Sequence, residues 1–452
     1  MAYTTQTRLA ELSDKLLAAA SAAGADQAEL MAVASDSVET TIENSELHSN
    51  QANEETVVGL RVFKGGSLGF ATANDDGHGG LDELVDEALA QARVMPADDN
   101  NALPEPGPVT PVARLADEGL AAWGLEDTSR VASVLLERVA SADQRVRVDS
   151  GSVGRSTSTV FLASSTGIRL AERRAHVSGY MFGMAVDGDE VASSDYDGDA
   201  SRDHASIEGL LADAGDRFVA KCTGGLGAGR GRSYRGAVIL SPEAVGEFLL
   251  PALVQAISAD NVRKGKSPLA GKVGEIIASP GITLTDDGTA AGGLASSAFD
   301  REGVAVGRRE LLSGGRLNGF LFNHYEARAA GCSSTGNGAG APSSLPSISP
   351  NRLEVDAGQE DYEQMCRPGQ EQVLVGRWSG STNPITGDFS GVVKNSFLVG
   401  PGGRRPITEV MIAGNIYTAL ENISAVSKQR RLLGGTRLVP ALTVEDLSVT
   451  AG

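Results

Sequence analysis

Apolar positions in this chain switch between two rhythms, and the switches mark its elements. Leu9, Leu12, Leu16 and Leu17 share one helical face over residues 7–23, a helix that stops near Gly24. Alternation then predicts strands at 39–42 and 56–63. A Lys64–Gly66 turn leads into a third strand, 67–72; β-branched runs around glycines specify a hairpin. Leu84, Val85, Ala88, Leu89 and Ala92 return to helical spacing over 81–93. Residues 1–96 thus read as an N-terminal α/β layer, helix plus hairpin. Four prolines between Met95 and Val109 mark a linker. A middle α/β segment over 110–222 follows, with helices at 128–142 and 207–219 around strands near 146–148, 158–163, 169–170 and 175–186. The glycine run ending at Gly231 sets a second boundary.

From residue 233 to 452 the pattern becomes short β runs punctuated by glycine. Strands are expected at 236–240, 281–284, 303–306, 371–375, 392–399 and 442–449. One helix interrupts them, over 243–259, where Val245, Phe248, Leu249, Leu253, Ala256 and Ile257 repeat at three and four. Pro242 suits its first turn, whereas Pro251 should kink or break it. The fold class is therefore α+β, with N-terminal α/β layers followed by a β-rich C-terminal domain.

Composition narrows the function classes. A formal net charge of −19 repels phosphate backbones, so nucleic-acid binding is disfavoured, and Arg230, Arg232 and Arg235 read as a solvated loop. No apolar run approaches the ~20 residues that cross a bilayer, and the amphipathic start lacks an apolar signal core. Cys222, Cys332 and Cys366 are an odd, widely spaced set. Together these features predict a cytoplasmic protein.

Several motifs fail on context. The glycines at 224–231 follow a helix and precede a strand, the reverse of a dinucleotide fingerprint. Asp195-Tyr-Asp-Gly-Asp199 suggests calcium, but Ala200 and Ser206 hold the positions where that loop needs glycine and glutamate, so an acidic surface loop is expected. Ser334–Gly340 lacks the lysine of a phosphate loop and reads as a tight turn or cleft wall. His48, His78, His176, His204 and His324 are scattered, and no local pair begins a zinc site. Cys332 with His324 gives no sign of a lowered thiol pKa.

Ser241-Pro-Glu-Ala-Val-Gly-Glu247 resembles the H-E-x-x-x-H segment of the TldD proteases with both histidines replaced, by Pro242 and Glu247. Other segments carry the same resemblance in order: Gly59–Ala71, Ala278-Ser279 with Asp286–Thr289, Asn318–Gly331 leading into Ser334–Gly338, and Asn383–Ser390 with Ile412–Asn415. The tail Leu432–Pro440 lacks the cysteine of the metal-bearing branch. The chain thus resembles the TldD/PmbA family, in its PmbA/TldE branch.

That resemblance implies a TldD/PmbA-like fold and a metal-free subunit. Its TldD-like partner would carry the zinc, and the heterodimer would cleave unfolded or extended peptides in an enclosed chamber. No catalytic residue and no metal ligand is then expected in this chain. Glu243 becomes a relic that complements the helix dipole. Asn383, Gly387 and Asp388 become the substrate-binding candidates. Two other readings stay open: a homodimer that binds peptides or regulates another enzyme without cleaving, and a peptidase with relocated metal ligands.

Overall fold

The computed structural model describes residues 2–75, 81, 83–367 and 369–452; His78 lies outside them. Its N-terminal half is built on one seven-stranded sheet covered on one face by helices. The strands are β1 (Gln27–Glu43), β2 (Glu46–Lys64), β3 (Ser67–Asn74), β4 (Val146–Ser164), β5 (Arg169–Asp187) and β6 (Asp195–Ser201), with the short Glu190–Val191 strand beside them. Their order is β3–β2–β1–β4–β5, and β6 also pairs with β5. The segments before and after the proline-rich stretch share this sheet, because β1 pairs with β4 from Glu29↔Ser164 to Glu43↔Ser150. The expected hairpin is present. Lys64 pairs with Ser67 across Gly65 and Gly66, whose φ of +56° and +77° only glycine adopts cheaply.

The period of two along β1 sorts its environment. Leu30, Ala32, Val38 and Ile42 face the helices α1 (Ala2–Ala22), α2 (Leu84–Val94), α3 (Leu125–Ala142) and α4 (His204–Gly224). Glu29 and Met31 face the other way, toward the C-terminal half. There Met31, Val160 and Leu162 pack with Ala298 and Phe299, which docks the two halves.

Several expectations need correction: of residues 281–284 only Leu284 lies in a strand, and the strand expected over 392–399 is two, parted at Asn395. The strands read separately at 146–148 and 158–163 are one strand, as are those at 169–170 and 175–186; backbone pairing carries both through polar middles that break the apolar alternation. Residues 303–306 form no strand, only a single bridge from Phe299 to Ala305. Asp195–Asp199 is not a surface loop. It belongs to β6, with Asp195 and Asp197 buried.

The C-terminal half is a fourteen-stranded mixed sheet. Its strands include β7 (Tyr234–Leu240), β8 (Arg377–Thr382), β9 (Asp388–Lys394), β10 (Ile423–Leu433) and β11 (Arg437–Ala451). The helix after β7 packs on it through Phe248, Leu253 and Ile257 against Val238, Val373 and Val444. That helix begins as α5 (Pro242–Ala244), widens into a π-helical turn over Val245–Leu249 and continues as α6 (Leu250–Ile257). The Leu250 N–H donates to the Val245 carbonyl, one residue farther back than in an α-helix. This wide turn stands immediately before Pro251, which has no N–H and whose ring crowds a regular preceding turn. The expected break is thus absorbed as a bulge.

Among the described residues no helix is long and apolar enough to cross a membrane.

Candidate functional site

Ser241 starts the motif helix. Its Oγ accepts the Ala244 N–H and donates to the Gly376 carbonyl, and Pro242 follows at the first helical position. Glu243 and Glu247, four residues apart, then meet side chains from both halves of the molecule. Arg431 of β10 bonds the Glu243 carboxylate, and Lys221 of α4 lies 3.4 Å from it. Both cations share Asp197 of β6: Lys221 at 2.8 Å and Arg431 at 2.7 Å. Arg217 adds a further contact to Asp197 at 3.0 Å and reaches Asp199 at 3.2 Å.

Glu247 stands where the second histidine of the motif is expected. It accepts the Trp378 N–H at 2.9 Å and the Tyr196 hydroxyl at 3.3 Å, with the Arg377 Nε 3.5 Å away. Arg377 also lies over the Tyr196 ring, 5.0 Å from its centroid, and contacts Asp195. Phe248, Trp378 and Phe389 form an aromatic cluster beside it. The tail segment closes on the same helix, where Arg437 donates to the Gly246 carbonyl at 2.8 Å.

The electrostatics follow from this crowding. Burial alone would push the Asp197 carboxyl up, but the charges of Lys221 and Arg431 outweigh it and hold it below the ordinary range. The same exchange raises Lys221: burial works against its charge, and Glu243 and Asp197 overcome that. Glu247 goes the other way, raised by burial that its hydrogen bond from Trp378 and the charge of Arg377 offset only in part.

The donor set does not fit zinc. Catalytic zinc needs three protein ligands at ~2.0–2.2 Å or slightly longer for sulfur. Pro242 has no donor atom, the tail has no cysteine, and both glutamates are engaged by cations or N–H and O–H donors. Among the described residues, the one group of three potential ligands within reach of each other is Asp117, Asp203 and His204. There Asp117 caps the Glu118–Ala121 helix and Asp203 caps α4, while His204 shares a hydrogen bond with Asp117.

The other sequence candidates lie elsewhere. Asn383, Gly387 and Asp388 lie in the turn joining β8 to β9, exposed at Asn383 and Asp388 and buried at Gly387, about 17 Å along β8 from the Trp378 contact at Glu247. Asn383 Oδ1 accepts the N–H groups of Ile385 and Thr386, and Asp388 accepts from Asn415 and Thr386. Cys332 is exposed, and partial desolvation of its sulfur by neighbouring atoms raises its pKa.

A second buried cluster joins the halves. Arg61 of β2 bridges Glu29 at 2.8 Å and Glu302 at 3.1 Å, and Arg301 reaches Glu29 at 2.8 Å. Asp300 accepts N–H bonds from Glu302, Val304 and Gly338, while Glu302 accepts the His324 N–H. Burial, reinforced by the Glu302 charge, pushes Asp300 up to about 7. Sequence reading missed both clusters. Their members are ordinary charged residues far apart in the chain, and the one signal was the acidic run at 195–199.

Comparison with known proteins places the chain in one family. The family model described as PmbA/TldA metallopeptidase domain 1 matches residues 28–92, and that described as PmbA/TldA metallopeptidase C-terminal domain matches residues 233–451. An uncharacterized protein of Methanocaldococcus jannaschii is 29% identical over 393 residues, covering 86% of this chain and 89% of that protein. The Escherichia coli O157:H7 metalloprotease PmbA is 23% identical over 441 residues, 93% of this chain and 92% of that one. The crystal structure of TldE from Thermococcus kodakarensis superposes with a TM-score of 0.88 at 25% identity, covering 97% of this chain and all of that one. With two family domains in order, full-length relatives and a shared fold, this chain belongs to the PmbA/TldD metallopeptidase family, in its PmbA/TldE branch.

Proposed function

We propose that this chain is the metal-free subunit of a two-chain metallopeptidase. It forms one wall of a closed chamber in which a TldD-like, zinc-bearing partner cleaves unfolded or extended peptides. The observation that carries this reading is the state of the motif glutamates. Glu243 is held by Arg431 and Lys221, and Glu247 by Trp378, Tyr196 and Arg377. A metallopeptidase needs metal-activated water and a base with a free lone pair. Here positive side chains occupy the surroundings of the glutamates and tie the motif helix to β6 and α4. The motif helix has become a strut between the halves. A wall that excludes folded proteins needs that rigidity and no chemistry of its own. In this reading the exposed turn Asn383–Asp388 belongs to the chamber rim, where an entering peptide meets it.

The test is to purify this chain alone, a TldD-like chain alone, and the two mixed, with zinc analysis and digestion of an unstructured peptide on each. Zinc is expected to follow the partner, and cleavage to require the mixture. One tightly held zinc per copy of this chain would restore the relocated-ligand reading. A chain that never associates with the partner and leaves its cleavage rate unaltered would favour a separate peptide-binding or regulatory homodimer.

A further inference from the structure

We infer that the cleft between the β2–β3 hairpin and the far end of the motif helix is a second binding site, shaped for a short, neutral, apolar stretch of free peptide. The cleft holds about 830 Å³, within the ~300–1,000 Å³ usual for ligand sites, and lies where two layers meet, as such sites commonly do. Phe63 and Leu68 line it from the hairpin. Val254 of α6 lines it from the C-terminal half, with Pro346 and Ile348. Met95 and Leu345 in the same lining are 52% and 44% exposed, apolar surface that an occupant would cover. Val254 is eleven residues beyond Glu243, roughly 16 Å along the helix, so this cleft is separate from the charge network at the motif.

The charges of the lining decide the class of occupant. Arg61 is paired with Glu302, Arg263 with Glu326 and Lys264 with Asp260, while Asp98 accepts the Tyr325 hydroxyl. Every cation of the lining is paired, and Asp98, which has no ion-pair partner, already accepts from Tyr325 and Asn100, so an entering ion would sit unpaired or break an existing contact. The lining does have hydrogen-bonding capacity to spare. Asn100, Asn101 and Asn261 give their side-chain N–H groups to Asp98, Gly66 and Gln255, and their side-chain oxygens accept nothing from the described residues. A peptide main chain supplies N–H donors for the amide oxygens, and it brings no charge. Apolar side chains on that segment match Phe63, Leu68, Val254 and Ile348. The inference stands whether or not a metal-bearing partner exists, because it concerns the isolated chain.

The experiment is calorimetric titration of the full chain with an N-acetylated, C-amidated tetrapeptide of leucine and valine, and with a tetraglutamate of the same length. Saturable one-to-one binding of the neutral peptide is expected, and none of the anionic one. Leu345→Arg places an unpaired cation on the wall and Val254→Trp fills the cavity; each is expected to weaken binding at least ~10-fold. Leu345 is partly exposed, so the Leu345→Arg chain should melt at the wild-type temperature, which keeps the result independent of misfolding. Absence of saturable binding up to roughly millimolar peptide, equal binding of tetraglutamate, or affinity unmoved by both substitutions overturns the inference.

Discussion

A carboxylate works as a general base when a lone pair is free to take a proton, and at Glu243 Arg431 and Lys221 hold that carboxylate instead. Glu243→Gln keeps an acceptor for Arg431. Peptide turnover by the complex proposed above should therefore stay well inside the ~10²–10⁴-fold loss that removal of a general base produces. Steady-state cleavage with assembly checked by light scattering decides this, and a loss of that size would make Glu243 a chemical participant. Asp197 is the more consequential anion. Its side chain is fully buried and shared by Arg217, Lys221 and Arg431. Asp197→Ala leaves three cations facing no common partner and should cost about 3–5 kcal/mol in urea unfolding. Its folded pKa lies below the ordinary 3.8, so its stabilising contribution is present above that value and is lost as pH falls through the folded one. The acid limb of stability below about pH 4 should therefore be shallower in Asp197→Asn than in wild type. At this scale the sequence marked where the segment departs from the family motif, at Pro242 and Glu247. It could not expose what replaced them, since Arg431 is 188 residues from Glu243.

Elements were legible where a local rule decides them. Glycines between β-branched runs fixed the β2–β3 hairpin, and period-four leucines fixed the first helix. The long strands β4 and β5 were legible only in pieces. The middle of β4 alternates serine and glycine with larger residues and that of β5 holds Glu172, Arg173 and Arg174; pairing of β4 with β1 and of the two with each other keeps them extended. The π-turn was half legible: Pro251 announced a disturbance, and packing of Phe248 and Leu253 into the sheet core decided that the helix would widen rather than end. The β8–β9 turn gives this scale its prediction. Gly387 has φ +84°, and a Cβ there would lie 2.5 Å from the Tyr417 ring. Gly387→Val should lower stability by about 1–3 kcal/mol, read as a shifted denaturation midpoint with an unchanged slope. An unmoved midpoint would mean that the turn and Tyr417 rearrange freely, and that these residues respond to a ligand rather than to each other.

The whole molecule is two layered halves held by an apolar patch and two buried charge clusters, and nothing in the sequence marked how the halves meet. Arg61 and Glu302 are 241 residues apart, and nothing local marks either as a junction residue. That junction sets a pH dependence of its own. A Cβ at Gly338 would meet Asp300 Oδ2 at 2.8 Å and Glu302 Oε2 at 3.1 Å, so the two carboxylates converge on one spot and crowd each other. Around them stand Glu29, Arg61, Arg301 and His324, the last with its pKa lowered by burial. With Asp300 raised from 3.8 to about 7, the folded state binds a proton that the unfolded chain has released over that interval. The stability it contributes is full below about pH 4 and is lost as pH rises through about 7. Asp300→Asn cannot ionise, although it gives up the acceptor for the Gly338 N–H and should melt below wild type at pH 5. The gap in melting temperature between the two proteins should then shrink steadily from pH 5 to pH 8, because only wild type loses its bound proton over that range. Parallel melting curves across the range would show that Asp300 is already ionised at pH 5. Arg61 and Arg301 would then have to neutralise Glu29, Glu302 and Asp300 together, two cations against three anions at the interface between the halves.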